Sequence, residues 1–247
     1  MTVQALKIAF SLLTRIPVRL PEELDPRAWG RAVVFYPLVG LVMGLVLAGA
    51  ALGADALNWN PTAEAVPVLL LWVGLTGAFH LDGLADSADA WLGGYGDRDK
   101  TVRIMKDPAC GPAGAVALIL VLLTKWAALG PLLAAGQWSV LILMPVLARA
   151  AVAGLFLALP CAVEEGLVSR AKEQLPRGEV TGAILVSALA ALVLGWTGLG
   201  LLVVTVVISL LGMRLMQQRL GGFSGDPAGA LVETVEAAGL LAVALTL

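Results

Sequence analysis

The run Phe79-His80-Leu81-Asp82-Gly83-Leu84-Ala85-Asp86-Ser87-Ala88-Asp89 sets three carboxylates at i, i+4 and i+7 behind a long apolar stretch. On an α-helix, Asp86 and Asp89 fall about 40° and about 20° to either side of Asp82, so one face carries all three. Like charges so placed repel, and apolar surroundings screen them poorly. The ridge therefore requires a neutralising cation or shared protons. All-oxygen donors of this kind suit Mg²⁺, which completes its shell with water and substrate phosphate. Gly83, Ala85 and Ala88 keep the surface beside the acids shallow.

Outward from this run the chain is strongly apolar. Of its 247 residues 59% are hydrophobic and 14% charged, and the mean hydropathy is +0.91. Too few polar side chains exist to cover a soluble globule of this size, which predicts an all-α, polytopic helical bundle in a lipid bilayer. A net charge of −2 argues against a nucleic-acid partner, because no excess of Lys and Arg is available to displace phosphate counterions. Against about 20 residues per crossing, the apolar segments 33–55, 65–81, 113–134, 139–160, 181–197, 199–213 and 229–247 predict about seven spans in one domain covering 1–247. The pair 181–197 and 199–213, parted only by Gly198, reads as a tight hairpin or as one kinked helix. Residues 1–16 pattern as an interfacial helix, with Leu6, Ile8, Phe10 and Leu13 between Lys7 and Arg15, and no small-residue cleavage site follows them. Cys110 and Cys161 lack the spacing of a metal or redox pair.

Fourteen of the 16 basic residues lie in loops that share one side of a seven-span chain. The positive-inside rule then places the N-terminus in the cytoplasm and favours the hairpin, since a single kinked helix would carry Arg214 and Arg219 to the wrong side. The other two, Lys125 and Arg149, fall inside spans, where charge must be matched. They read equally as a structural pairing with Glu233 or Glu236 or as direct participants in binding.

Beyond Gly93-Gly94-Tyr95-Gly96, Asp97 is an expected N-cap for a helix on which Arg103 and Lys106 are i, i+3 neighbours, able to hold a diphosphate beside the aspartates. Arg98 and Lys100 read as ordinary positive-inside charge. A second acidic cluster joins Asp226, expected as N-cap before Pro227, to Glu233 and Glu236; Asp226 and Glu233 are candidate ligands for a second metal set. His80, the only histidine, would point about 160° away from Asp82 on a continuous helix and reads as a structural polar residue.

Taken together, the aspartate run, Arg103-Ile104-Met105-Lys106-Asp107, Gly221-Gly222-Phe223-Ser224-Gly225-Asp226 with Glu233 and Glu236, Thr14-Arg15-Ile16-Pro17 and Pro37-Leu38-Val39-Gly40 resemble the cobalamin-5′-phosphate synthase (adenosylcobinamide-GDP ribazoletransferase) family over nearly the whole chain. The resemblance implies a multi-pass enzyme of the bacterial plasma (inner) membrane with its active site at the cytoplasmic face, and leaves room for a homo-oligomer. It would join α-ribazole, or its 5′-phosphate, to adenosylcobinamide-GDP with release of GMP in the last steps of cobalamin synthesis, using Mg²⁺. In that setting Asp82, Asp86 and Asp89 are expected as catalytic metal ligands, and Arg103, Lys106, Lys125 and Arg15 as phosphate-binding residues. The Asp-Gly-x-x-Ala-Arg pattern of CDP-alcohol phosphotransferases fails here for want of the arginine and of the right acid spacing. A prenyltransferase would share the metal logic. A transporter would use Lys125, Arg149, Glu233 and Glu236 along a path near the midplane.

Overall fold

The computed structural model describes residues 1–163 and 166–247. Twelve α-helices follow one another among them: α1 (Thr2–Leu13), α2 (Pro26–Ala32), α3 (Tyr36–Ala56), α4 (Pro61–Thr76), α5 (Phe79–Gly93), α6 (Arg98–Met105), α7 (Pro112–Ala134), α8 (Trp138–Ala158), α9 (Leu167–Glu173), α10 (Arg177–Leu192), α11 (Gly195–Leu220) and α12 (Gly225–Ala244). Prolines at the first helical positions start α2, α3, α4 and α7, where their missing N–H costs nothing. The side chains of Asp25, Asn60 and, as expected, Asp97 cap α2, α4 and α6 by accepting backbone amides of the first turn.

Five helical runs are long and apolar enough to cross a bilayer, or seven if two bent pairs each count as one. The expected multi-pass bundle is therefore present, with a break inside one expected span and the favoured hairpin turned a few residues before Gly198. The segment 65–81 is not one helix: α4 ends at Thr76, Gly77 and Ala78 both take left-handed backbone (φ 62° and 60°), and α5 leaves at 84°. Two successive left-handed residues break the i→i−4 ladder, and an alanine there carries strain of about 1–3 kcal/mol. The pair beyond residue 180 is a hairpin, broken at Val193-Leu194, with Gly198 of α11 set so close to the backbone of Ala191 on α10 that no side chain fits.

Helices α8 and α12 are buried around most of their circumference and form the core against which the others pack. Without a hydrophobic drive between helices in lipid, close contact comes from small residues. Gly40 and Gly44 let α3 lie on the α8 backbone at Pro145 and Ile142. The N-terminal α1 packs on α2 and α3 through Ala5, Ile8, Ala9 and Leu13, so Leu6 and Phe10, expected on its apolar face, are only half-buried.

The basic loops meet at one end of the bundle. Arg98 donates to the carbonyls of Leu220 and Ala162 at 2.9 and 3.0 Å, Arg177 to that of Leu157 at 3.0 Å, and Arg31 pairs with Glu179 at 3.1 Å.

Candidate active site

The acidic ridge lies on α5 where that helix crosses α12 near the basic end. Gly83 makes the crossing possible, because a Cβ there would stand 2.6 Å from the Asp226 carbonyl oxygen; Gly229 serves the same purpose beneath the His80 backbone. Asp226 is thereby brought within electrostatic reach of Asp82 and Asp86. It sits in the first turn of α12 rather than at its N-cap, which is Ser224. No Lys or Arg pairs with Asp82, Asp86 or Asp226 among the described residues.

Asp89 has a different task from its two neighbours. Its carboxylate accepts the amides of Gly111 at 2.7 Å and Gly114 at 2.9 Å, one on each oxygen, at the start of α7. Charge-assisted bonds to the N-terminal amides of a helix are strong and favoured by the helix dipole. In this structure Asp89, expected as a metal ligand, fastens α5 to α7.

Beside the acids lies a cavity of about 300 Å³ whose wall includes Asp82, Asp226, His80, Phe79, Tyr36 and Phe223. Phe156 joins Tyr36 and Phe223 edge-on, with ring centroids 6.1 and 5.0 Å apart. The loop before α12 is fixed by Phe223, which donates to Pro160 at 3.0 Å and accepts from Ala162 at 2.9 Å. One end of the cavity is thus carboxylate and the other aromatic.

Deeper in the bundle four charges neutralise one another. Lys125 on α7 lies 2.7 Å from Glu233 and 2.6 Å from Glu236 on α12, and Arg149 on α8 pairs with Glu236. All four side chains are closed to solvent, and the Lys125 ammonium also faces the Trp72 ring at 4.9 Å. Glu233, a candidate ligand of a second metal set, is here the partner of a buried lysine, and Lys125, expected at a phosphate, pairs with two carboxylates. The structural pairing is what the burial demands, since an unmatched charge at this depth costs several kcal/mol.

Arg15 stands at the α4–α5 break, its amide donating to Leu75 at 2.8 Å and its guanidinium 4.1 Å above the Phe79 ring that lines the cavity. Arg103 and Lys106 are exposed at the end of α6 with no carboxylate partner among the described residues, and neither lines the cavity. His80 is buried, with Nδ1 unpartnered. Cys110 is exposed, and Cys161 is a free thiol that burial pushes up, with Lys172 opposing and Glu173 adding, so neither offers a thiolate pair. Sequence spacing missed Phe79, Tyr36, Phe156 and Phe223 as cavity residues; Phe79 and Phe223 stand in motifs read for their acids, and Tyr36 and Phe156 come from helices far apart in the chain.

The donor set fits a hard divalent cation. No three acidic, His or Cys side chains among the described residues form a ready-built cage, but Mg²⁺ binds through one or two carboxylates and keeps water and phosphate for its remaining positions. Asp82, Asp86 and Asp226 supply unpaired carboxylates of that kind.

Comparison with known proteins meets this geometry. The family model described as cobalamin-5-phosphate synthase matches residues 5–244. Adenosylcobinamide-GDP ribazoletransferases of Pseudomonas paraeruginosa, Stutzerimonas stutzeri and Pseudomonas entomophila are 49%, 47% and 48% identical to the chain, over 98%, 97% and 96% of it and 98%, 97% and 97% of their own lengths. No solved structure matches. With the match running from α1 to the last turn of α12, and so through both acid-bearing helices, the chain belongs to the cobalamin-5-phosphate synthase family.

Proposed function

We propose that this protein joins α-ribazole, or α-ribazole 5′-phosphate, to adenosylcobinamide-GDP, giving adenosylcobalamin or its 5′-phosphate and releasing GMP. The observation that carries the reading is the pair of unpaired carboxylates, Asp82 on α5 and Asp226 on α12, in the wall of a cavity with aromatic sides, with Asp86 in electrostatic reach of both. The names of the similar proteins supply the substrates.

Mg²⁺ held by Asp82, Asp86 and Asp226 would supply neutralisation of the diphosphate charge as the nucleotide departs. The chain's own residues do the rest. Asp89 holds α5 against α7, so that the acid face keeps its place relative to Asp226. Arg15, positioned by Phe79 at the cavity edge, binds a non-bridging phosphate oxygen. Arg103 and Lys106 attract the anionic substrate from solution. The ribazole hydroxyl oxygen bonds to the corrinoid-linked phosphorus, the bridging P–O bond to GMP breaks, and a carboxylate of the cavity wall, Asp82 or Asp226, takes the hydroxyl proton. The basic end faces the cytoplasm of a bacterial plasma membrane, in keeping with its lysines and arginines.

The test is GMP release by protein in proteoliposomes supplied with adenosylcobinamide-GDP and α-ribazole. Release should require Mg²⁺, stop in EDTA, and fall at least a thousandfold in Asp82→Ala, Asp86→Ala and Asp226→Ala variants that insert normally. Full release in EDTA, turnover of a prenyl diphosphate or CDP-alcohol instead, or solute flux without GMP would each defeat the reading.

A further inference from the structure

A second, polar cavity of about 400 Å³ opens at the same end of the bundle, between the turn Gly94–Asp97 and the last turns of α11. It shares no lining residue with the acidic cavity. Its frame is held rigidly. Thr101 donates to the carbonyls of Gly94 and Asp97 at 2.9 and 2.7 Å, Gly96 takes the left-handed backbone (φ 79°) that closes the turn, and Arg98 ties α6 to the Leu220 carbonyl at the end of α11. Inside that frame Tyr95 is 80% exposed, with the Arg219 guanidinium 4.5 Å from its ring centroid, and Gln218 stands beside them. No hydrogen bond to protein engages the Gln218 amide or the Arg219 guanidinium among the described residues. Among the described residues the exposed Tyr95 ring is engaged by Arg219 alone, and those donors have no protein acceptor.

The acid-bearing α5 leads into this cavity, and α11, which lines it, runs on to the start of the acid-bearing α12. Gly94 follows Asp86 by eight residues, about 12 Å of helix, and Asp226 follows Arg219 by seven. A nucleotide whose diphosphate lies at Asp82, Asp86 and Asp226 reaches that far with its base. We propose that this cavity seats the guanosine end of the nucleotide leaving group, with the base stacked on the outer face of the Tyr95–Arg219 pair and its polar edge read by Gln218. The inference rests on the reading of the acidic site as the diphosphate site. The polar lining favours guanine over the base of α-ribazole, whose benzimidazole edge presents mostly carbon and suits the aromatic wall of Tyr36, Phe156 and Phe223.

Steady-state kinetics and direct GMP binding to protein in detergent test the assignment. Stacking on one ring is worth about tenfold or more in affinity. Tyr95→Ala should raise KM for adenosylcobinamide-GDP and weaken GMP binding by about that factor, leaving KM for α-ribazole alone, and Tyr95→Phe should restore both. Gln218→Ala should narrow the preference for GMP over AMP. Unchanged GMP binding in Tyr95→Ala and Arg219→Ala overturns the proposal, as does a rise in KM for α-ribazole in place of the nucleotide substrate. Wild-type protein that binds GMP but releases none from adenosylcobinamide-GDP would instead count against the proposed reaction.

Discussion

Lys125 on α7 donates to Glu236 on α12 across 2.6 Å in the interior of the bundle, where both side chains are shut off from solvent. With Glu233 and Arg149 the pair makes a neutral tetrad that fixes α7 and α8 to the central helix. This register decides where the N-terminal turn of α12, and so Asp226, meets α5.

Removing one member leaves a buried charge unmatched. Lys125→Met should cost about 3–5 kcal/mol, read as a lowered thermal unfolding midpoint in detergent. The double variant Lys125→Met/Glu233→Gln restores neutrality, since Arg149 and Glu236 still match, and should recover most of that loss. Equal instability of the two proteins would contradict the charge accounting.

Asp89 and Asp82 should part company on substitution although they share a helix face. Asp89→Ala frees the first amides of α7 and should lower stability by about 1–2 kcal/mol, with GMP release reduced but measurable. Asp82→Ala should leave the unfolding midpoint within about 1 kcal/mol and abolish release. Unfolding curves and GMP assays on the same preparations decide the matter.

At the α5–α12 crossing, Gly83→Ala places a methyl group 2.6 Å from the Asp226 carbonyl oxygen. Backbone cannot yield as a side chain does, so the helices must separate. Loss of activity should exceed tenfold, with a weakened Mg²⁺ dependence, whereas Gly49→Ala, which meets nothing within 4 Å, should behave as wild type.

Arg15→Ala should raise KM for the diphosphate substrate about tenfold, and Phe79→Leu, which removes the ring beneath the guanidinium, should give a smaller rise in the same constant. An unchanged KM in both variants would remove Arg15 from the phosphate site.

Composition alone determined that this chain belongs in a membrane, because a surface so poor in polar groups is stable only in lipid, and the length of its apolar runs made the spans helical. Spacing alone put Asp82, Asp86 and Asp89 on one face, since helical periodicity is local. The tertiary structure decided what each acid does: Asp89 is spent on amides of α7 more than twenty residues away, and Glu233 on a lysine more than a hundred residues away. It also decided where the second span breaks, for Gly77 hints at a turn but Ala78 does not, and only the packing of sequence-distant partners such as Arg15 against Phe79 and Gly77 holds two left-handed residues in place. Periodicity reports what neighbours along the chain share; which carboxylates stay free for chemistry depends on the partners that folding brings from elsewhere.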